Sequence, residues 1–141
     1  MTLEVLLALQ HMLQRELKRD DTFVLADYFD YVAGTSTGAI IATFISLGWR
    51  VENILKFYVD AGPAMFDKAG LLRRFRYKFE DEKLAALLKQ QLGAQTTLGS
   101  PDLRTLLMLV MRNATTDSPW PVSNNPHAKY NEKGRPDNNL A

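Results

Sequence analysis

With 141 residues, 46% of them apolar and 23% charged, the chain has the length and composition of one soluble globular domain at most. A net charge of +1 argues against a nucleic-acid binder driven by phosphate neutralisation, and the absence of cysteine excludes disulfides, thiol chemistry and cysteine-based zinc sites, which suits a reducing compartment. No apolar run reaches the ~18 residues of a membrane span and no basic segment with an apolar core opens the chain, so a cytoplasmic location is expected.

Leu3 to Leu17 reads as an amphipathic helix. Leu3, Leu6, Leu7, Leu9, Leu13 and Leu17 form its apolar stripe, with Glu4, Gln10, Gln14, Glu16 and Lys18 mostly off it and Thr2 as the N-cap. No strand precedes it, which is an unusual opening for an α/β fold. After a polar break at Arg19-Asp20-Asp21, Thr22 to Ala26 reads as a short turn or connecting segment and Tyr28 to Ala33 as a strand.

Gly34-Thr35-Ser36-Thr37-Gly38 follows, and then a helix from Thr37 to Leu47, apolar nearly all round, with Gly48 as its stop. A further helix, Val51 to Ala61, places Ile54, Leu55, Tyr58 and Val59 on one face, with Gly62-Pro63 ending it. In Ala64 to Phe79, Arg73, Arg74, Arg76 and Lys78 alternate with Leu72, Phe75, Tyr77 and Phe79. That pattern suits an anionic surface, but it is more commonly a solvated loop with aromatic anchors.

Glu80 to Leu92 is a helix led by acids and closed by Gly93, and Leu98 to Asp102 is a turn. Leu103 to Arg112 reads as a buried central strand, although its length also allows a helix. From Asn113 onward Pro119, Pro121, Pro126 and Pro136 and many asparagines replace any periodic pattern, and the chain stops in what reads as mid-loop.

The centre of this layout is the strand–Gly34-Thr35-Ser36-Thr37-Gly38–helix junction, which matches a G-x-S-x-G nucleophile elbow. A strained turn pushes the serine hydroxyl outward, so chain comes close on both sides, and glycine at 34 and 38 offers no Cβ to block it. The new helix begins beside Ser36, placing free amides and a positive dipole end where negative charge would develop. Ser36 is therefore the candidate nucleophile. The bland reading is a tight βα turn whose glycines and hydroxyls only satisfy backbone groups.

A serine hydroxyl needs a base. His11 and His127 both read as ordinary surface histidines, and the aspartates read as caps, turn formers or solvated charges. Only about 35 residues precede Ser36, too few for the strands that come before the serine of an α/β-hydrolase. No metal-ligand cluster and no phosphate-binding glycine motif occurs, so no cofactor or metal is expected.

Leu3-Glu4-Val5-Leu6-Leu7-Ala8-Leu9 and Tyr28 to Ala39 together closely resemble the patatin-like phospholipase family. Val51 to Tyr58 and Trp120-Pro121-Val122-Ser123-Asn124-Asn125-Pro126 resemble its bacterial members. Similarity spans nearly the whole chain and is most specific from Asp30 to Ala39. The resemblance implies an α/β fold, a three-layer α/β/α sandwich around a mostly parallel sheet, and hydrolysis of lipid acyl esters by a Ser-Asp dyad without histidine.

It also implies Ser36 as nucleophile, Gly34, Thr35, Thr37 and Gly38 as its elbow, a lipid or phospholipid ester as substrate and peripheral membrane contact. Two family motifs are missing from these residues: the glycine-rich oxyanion loop D-G-G-G-x-R-G, and the D-G-G or D-G-A motif holding the catalytic aspartate. Residues 1–141 are therefore expected to be a partial catalytic domain, truncated at both ends, lacking its first strand and inactive alone. The alternative is a non-catalytic module of the same fold that binds anions at the elbow amides or partners through Arg73 to Phe79.

Overall fold

The computed structural model describes residues 1–65, 77–113, 115–128 and 131. Its elements are α1 (Thr2–Glu16), a 3₁₀ turn (Leu25–Asp27), β1 (Tyr31–Thr35), α2 (Thr37–Ser46), α3 (Val51–Met65), α4 (Tyr77–Leu92), β2 (Leu106–Arg112) and β3 (Pro119–Ser123). The fold is α/β, as the resemblance implies. Of the Arg/aromatic stretch, residues 72–76 lie outside the described residues, and Tyr77 to Phe79 fall in the first turn of α4.

The chain divides into two compact units. The first comprises Met1–Ile54 and Thr97–Ala141, the second Leu55–Thr96. The first holds the sheet, ordered β1-β2-β3. β1 and β2 pair in parallel from Tyr31↔Leu106 to Thr35↔Val110, and β2 and β3 pair antiparallel from Met108↔Ser123 to Arg112↔Pro119. A parallel pair needs a long crossover, and here residues 36–105 supply it. In the second unit, the remainder of α3 leads on, and α4 ends where Gly93, at φ +87°, donates its N–H to Lys89 O at 3.0 Å.

The sheet's two faces differ. Gly34 turns toward the start of α2, so Val32, Leu107, Leu109 and Val122 share the face on which α2 packs against β1 and β2. Leu107 and Val122 are buried there, together with Ala42, Phe44 and Ile45 of α2. Each large side chain removed from water contributes about 1.5–3 kcal/mol. Phe44 also lies against Trp49, with ring centroids 4.4 Å apart. Tyr31 and Leu106, on the opposite face, remain exposed.

A polar cluster ties α1 to the start of α3. Gln10 is wholly buried. Its Nε2 donates to Glu52 Oε2 at 2.9 Å and its Oε1 accepts the Val51 N–H at 3.0 Å. Arg50 Nη2 donates to Glu52 Oε1 at 2.9 Å, and Arg50 Nη1 reaches the carbonyls of Asp21 and Phe23. Gln10 thus caps α3 from another helix, satisfying an N–H that a helix start leaves free.

Several expectations are corrected. Gln10 is not off the buried stripe of α1, because its amide has partners inside. Leu17 lies beyond the helix as its C-cap and is exposed, and Met1 rather than Thr2 is the N-cap. β1 begins at Tyr31 and includes Gly34 and Thr35, whereas Tyr28 and Phe29 follow the 3₁₀ turn.

α3 runs through Gly62-Pro63 to Met65. With proline this near the helix end, only the Val59 carbonyl loses its intrahelical donor. Among its described side chains Val51, Ile54, Phe57 and Ala61 are buried, while Val59 is exposed. α2 is buried mainly along Ala42, Phe44, Ile45 and Ser46 rather than nearly all round. The proline-rich tail contains β3, whose Pro119 and Pro121 are compatible with an edge strand because no ladder donor is required of them.

Candidate active site

The junction between β1 and α2 is built by the backbone. Ser36 is the N-cap of α2 and sits at φ +53°, ψ −131°. An L-residue holds such a conformation only where its surroundings enforce it, at a cost of about 1–3 kcal/mol. Thr35 supplies part of that enforcement: its Oγ1 donates to Val110 O at 3.0 Å, fastening the end of β1 to β2. The first turn of α2 supplies more, with Ala39 N–H donating to Ser36 O at 3.0 Å.

Close approach at this turn is one-sided. A Cβ built on Gly34 would lie 2.2 Å from Gly38 O and 2.7 Å from Ala39 N, so only glycine fits there. A Cβ on Gly38 would meet nothing within 4 Å. The sequence expectation of a steric need at both glycines therefore holds at Gly34 and fails at Gly38 among the described residues. Gly38 contributes its own backbone to the crowding.

Ser36 is exposed, and its hydroxyl makes no capping bond to α2. It is thus not used up as an N-cap, the ordinary fate of a serine before a helix. The first turn of α2 carries the positive end of the helix dipole. An exposed hydroxyl beside the positive end of a helix dipole suits acyl transfer.

Neither histidine is brought into this arrangement. His11 Nε2 lies 2.9 Å from Glu52 Oε1 at the start of α3, and the His127 N–H donates to Asn125 Oδ1 at 2.9 Å in the turn after β3. Several carboxylates besides Glu52 have partners other than Ser36. Asp20 accepts the Thr22 N–H at 2.9 Å, Asp27 accepts the Val24 N–H at 3.0 Å and pairs with Arg104, and Asp117 pairs with Arg112. Asp67 and Asp137 lie outside the described residues.

Among the described residues no group of three or more acidic or histidine side chains is placed to hold a metal, and no helix is long and apolar enough to cross a membrane. A residue that the sequence did not single out supports β2, the strand paired with the one that carries Ser36. Asn124 Oδ1 accepts the Leu107 N–H at 2.7 Å and its Nδ2 donates to Thr105 O at 3.0 Å, so one side chain continues the ladder where β3 has ended. Its only sequence signal is its place within Trp120 to Pro126.

A family model described as "Patatin-like phospholipase" matches residues 2–139. The chain belongs to the patatin-like phospholipase family. Among curated relatives, it is 32% identical over 92 residues to Patatin-like protein 4 of Arabidopsis thaliana, covering 56% of this chain and 23% of that protein. It is 33% identical over 76 residues to Patatin-T5 of Solanum tuberosum, covering 49% and 19%. It is 32% identical over 76 residues to "Probable inactive patatin-3-Kuras 1" of the same plant, covering 49% and 20%. The chain thus matches about a fifth to a quarter of the length of these patatins.

Proposed function

We propose that this chain is part of a serine acyl hydrolase of the patatin type, acting on lipid acyl esters with Ser36 as nucleophile. The observation that carries this reading is Ser36 itself: an exposed serine held at φ +53° between a strand and a helix, with its hydroxyl not spent on capping. Strain at a non-glycine residue persists where structure over-determines it, and such residues cluster at active sites.

In the proposed reaction Ser36 Oγ attacks the ester carbonyl carbon as its proton passes to a base. Negative charge gathers on the carbonyl oxygen. The ester C–O bond then breaks, the alcohol leaves with a proton, and water releases the acid from the acyl-serine. Thr35 and Gly34 hold the turn, while Thr37 and Gly38 begin the helix whose amides face the developing charge.

The base, by family resemblance, is an aspartate paired with Ser36 in a dyad. No Asp-Gly sequence occurs in residues 1–141. Our reading therefore takes these residues as a partial catalytic domain, with the oxyanion loop and catalytic aspartate contributed from outside them. Lipid head-group contact would bring the protein to a membrane surface peripherally.

A fluorophosphonate probe tests the assignment. The product of the complete gene should label in a manner abolished by Ser36→Ala, and the 141-residue chain alone should label weakly or not at all. Failure of the complete product to label at Ser36 would reject the nucleophile.

A further inference from the structure

We propose that Thr35 is a positioning residue for the nucleophile: the bond from its hydroxyl to the Val110 carbonyl aligns Ser36 for attack. The inference rests on the reading of Ser36 as nucleophile and adds a dependence of that serine on β2.

The place of this bond in the sheet follows from the ladder. Asn113 N–H donates to Ser118 O at 2.9 Å, and Asn124 N–H donates to Leu107 O at 3.1 Å. Along an antiparallel strand, alternate residues turn both backbone groups to the same neighbour. Leu107, Leu109 and Met111 therefore serve β3, while Leu106, Met108 and Val110 turn toward β1. Leu106 N–H accordingly donates to Asp30 O at 2.9 Å. Val110 is paired with Thr35, the last residue of β1, so its carbonyl is the last acceptor that β2 offers within the parallel register. Thr35 Oγ1 donates to that carbonyl at 3.0 Å.

At this point the two strands part. β2 runs on to Arg112, while the chain turns out of β1 at Ser36, with φ +53° and ψ −131°. A residue in such a conformation relaxes unless its surroundings over-determine it. Two contacts oppose that relaxation. Gly34 is pressed against the backbone of Gly38 and Ala39, which sets how closely α2 approaches β1. The Thr35 hydroxyl instead ties the residue directly before Ser36 to the neighbouring strand.

The chemistry at position 35 separates this role from a plain strand position. Valine has the same shape as threonine and suits a strand equally well, but its side chain has no proton to donate. A threonine that served only the strand would be replaced by valine without loss. A threonine that aligns Ser36 would not. The acceptor lies across the long crossover of residues 36–105, so alignment of the serine waits on the seating of β2.

The complete gene product, assayed with a fluorophosphonate probe and a p-nitrophenyl acyl ester, tests this. Thr35→Val should lower both kcat and the labelling rate at saturating probe about tenfold, because small misplacements of a reacting group are costly. KM and the unfolding midpoint should change little. Thr35→Ser keeps the donor and should restore most of the parent's kcat.

Should Thr35→Val fail to fold, Thr35→Ser against Thr35→Ala makes the same comparison, since that pair differs only in the hydroxyl. Labelling of the parent that depends on Ser36, with an unchanged rate in Thr35→Val, would overturn the positioning role alone. So would a raised KM with kcat intact, or equal losses in Thr35→Ser and Thr35→Ala. Absence of Ser36-dependent labelling in the parent would overturn the nucleophile, and this inference with it.

Discussion

Ser36 and its two flanking glycines separate three physical roles that a G-x-S-x-G pattern merges. Gly34 is a packing requirement, because a Cβ there would sit 2.2 Å from a backbone oxygen that cannot move independently of α2. Gly34→Ala should destabilise the chain by about 3 kcal/mol or more. Gly38 is an early helical residue with open space, so Gly38→Ala should instead be neutral or stabilising by up to about 1 kcal/mol. Urea denaturation of the two variants decides the point, and equal losses would contradict the one-sided crowding. Ser36→Gly removes strain of about 1–3 kcal/mol and adds about 0.5–1 kcal/mol of unfolded-state freedom. It should therefore be about 1 kcal/mol more stable than the parent, whereas Ser36→Ala keeps the strain and should gain nothing.

At the scale of elements, long-range polar side chains position the helices and strands that periodicity only enumerates. Burial opposes ionisation of Glu52, but hydrogen bonds from Arg50, the backbone, His11 and Gln10 outweigh it and hold the carboxyl at about 2 rather than 4.5. The fold therefore favours the ionised form. Its contribution is complete above about pH 4.5 and is lost as pH falls toward 2.

With the Glu52 side chain 37% exposed, solvent screening leaves that contribution on the order of 1 kcal/mol. Glu52→Gln should flatten the acid limb of a stability–pH profile between those limits, and an unchanged limb would remove the network from the account. Asn124→Ala strands the Leu107 N–H and leaves the Thr105 carbonyl only the longer bond from Ser46 Oγ at 3.4 Å, so it should cost about 2 kcal/mol in thermal or urea unfolding.

For the whole molecule, the Gly34–Gly38 turn and its sheet belong to one compact unit, and the glycine-rich loop and Asp-Gly pair that the proposed dyad needs do not occur in residues 1–141. Loss of one oxyanion donor costs about 10²–10³ in rate, and loss of the base adds to that. Purified as 141 residues, the chain should hydrolyse a p-nitrophenyl acyl ester at little above the Ser36→Ala background. Robust turnover that vanishes in Ser36→Ala would show that these residues already contain a working oxyanion site and base.

What could be read in advance was what local chemistry controls. The spacing of Leu3, Leu6 and Leu13 marked α1, Gly48 and Gly93 marked helix ends through their left-handed backbone, and Asp30 to Ala39 carried the strand, the elbow and the family. Each depends on neighbours a few residues away. Gln10, Asn124 and β3 were not readable, because their partners lie 41, 17 and 7–15 residues distant and nothing in the local pattern names them. The elbow straddles this divide. Its residue types alone singled out Ser36 as the nucleophile we propose. Tertiary packing decided which glycine is obligatory, since the Gly34 clash arises from the backbone of α2 folded back against β1.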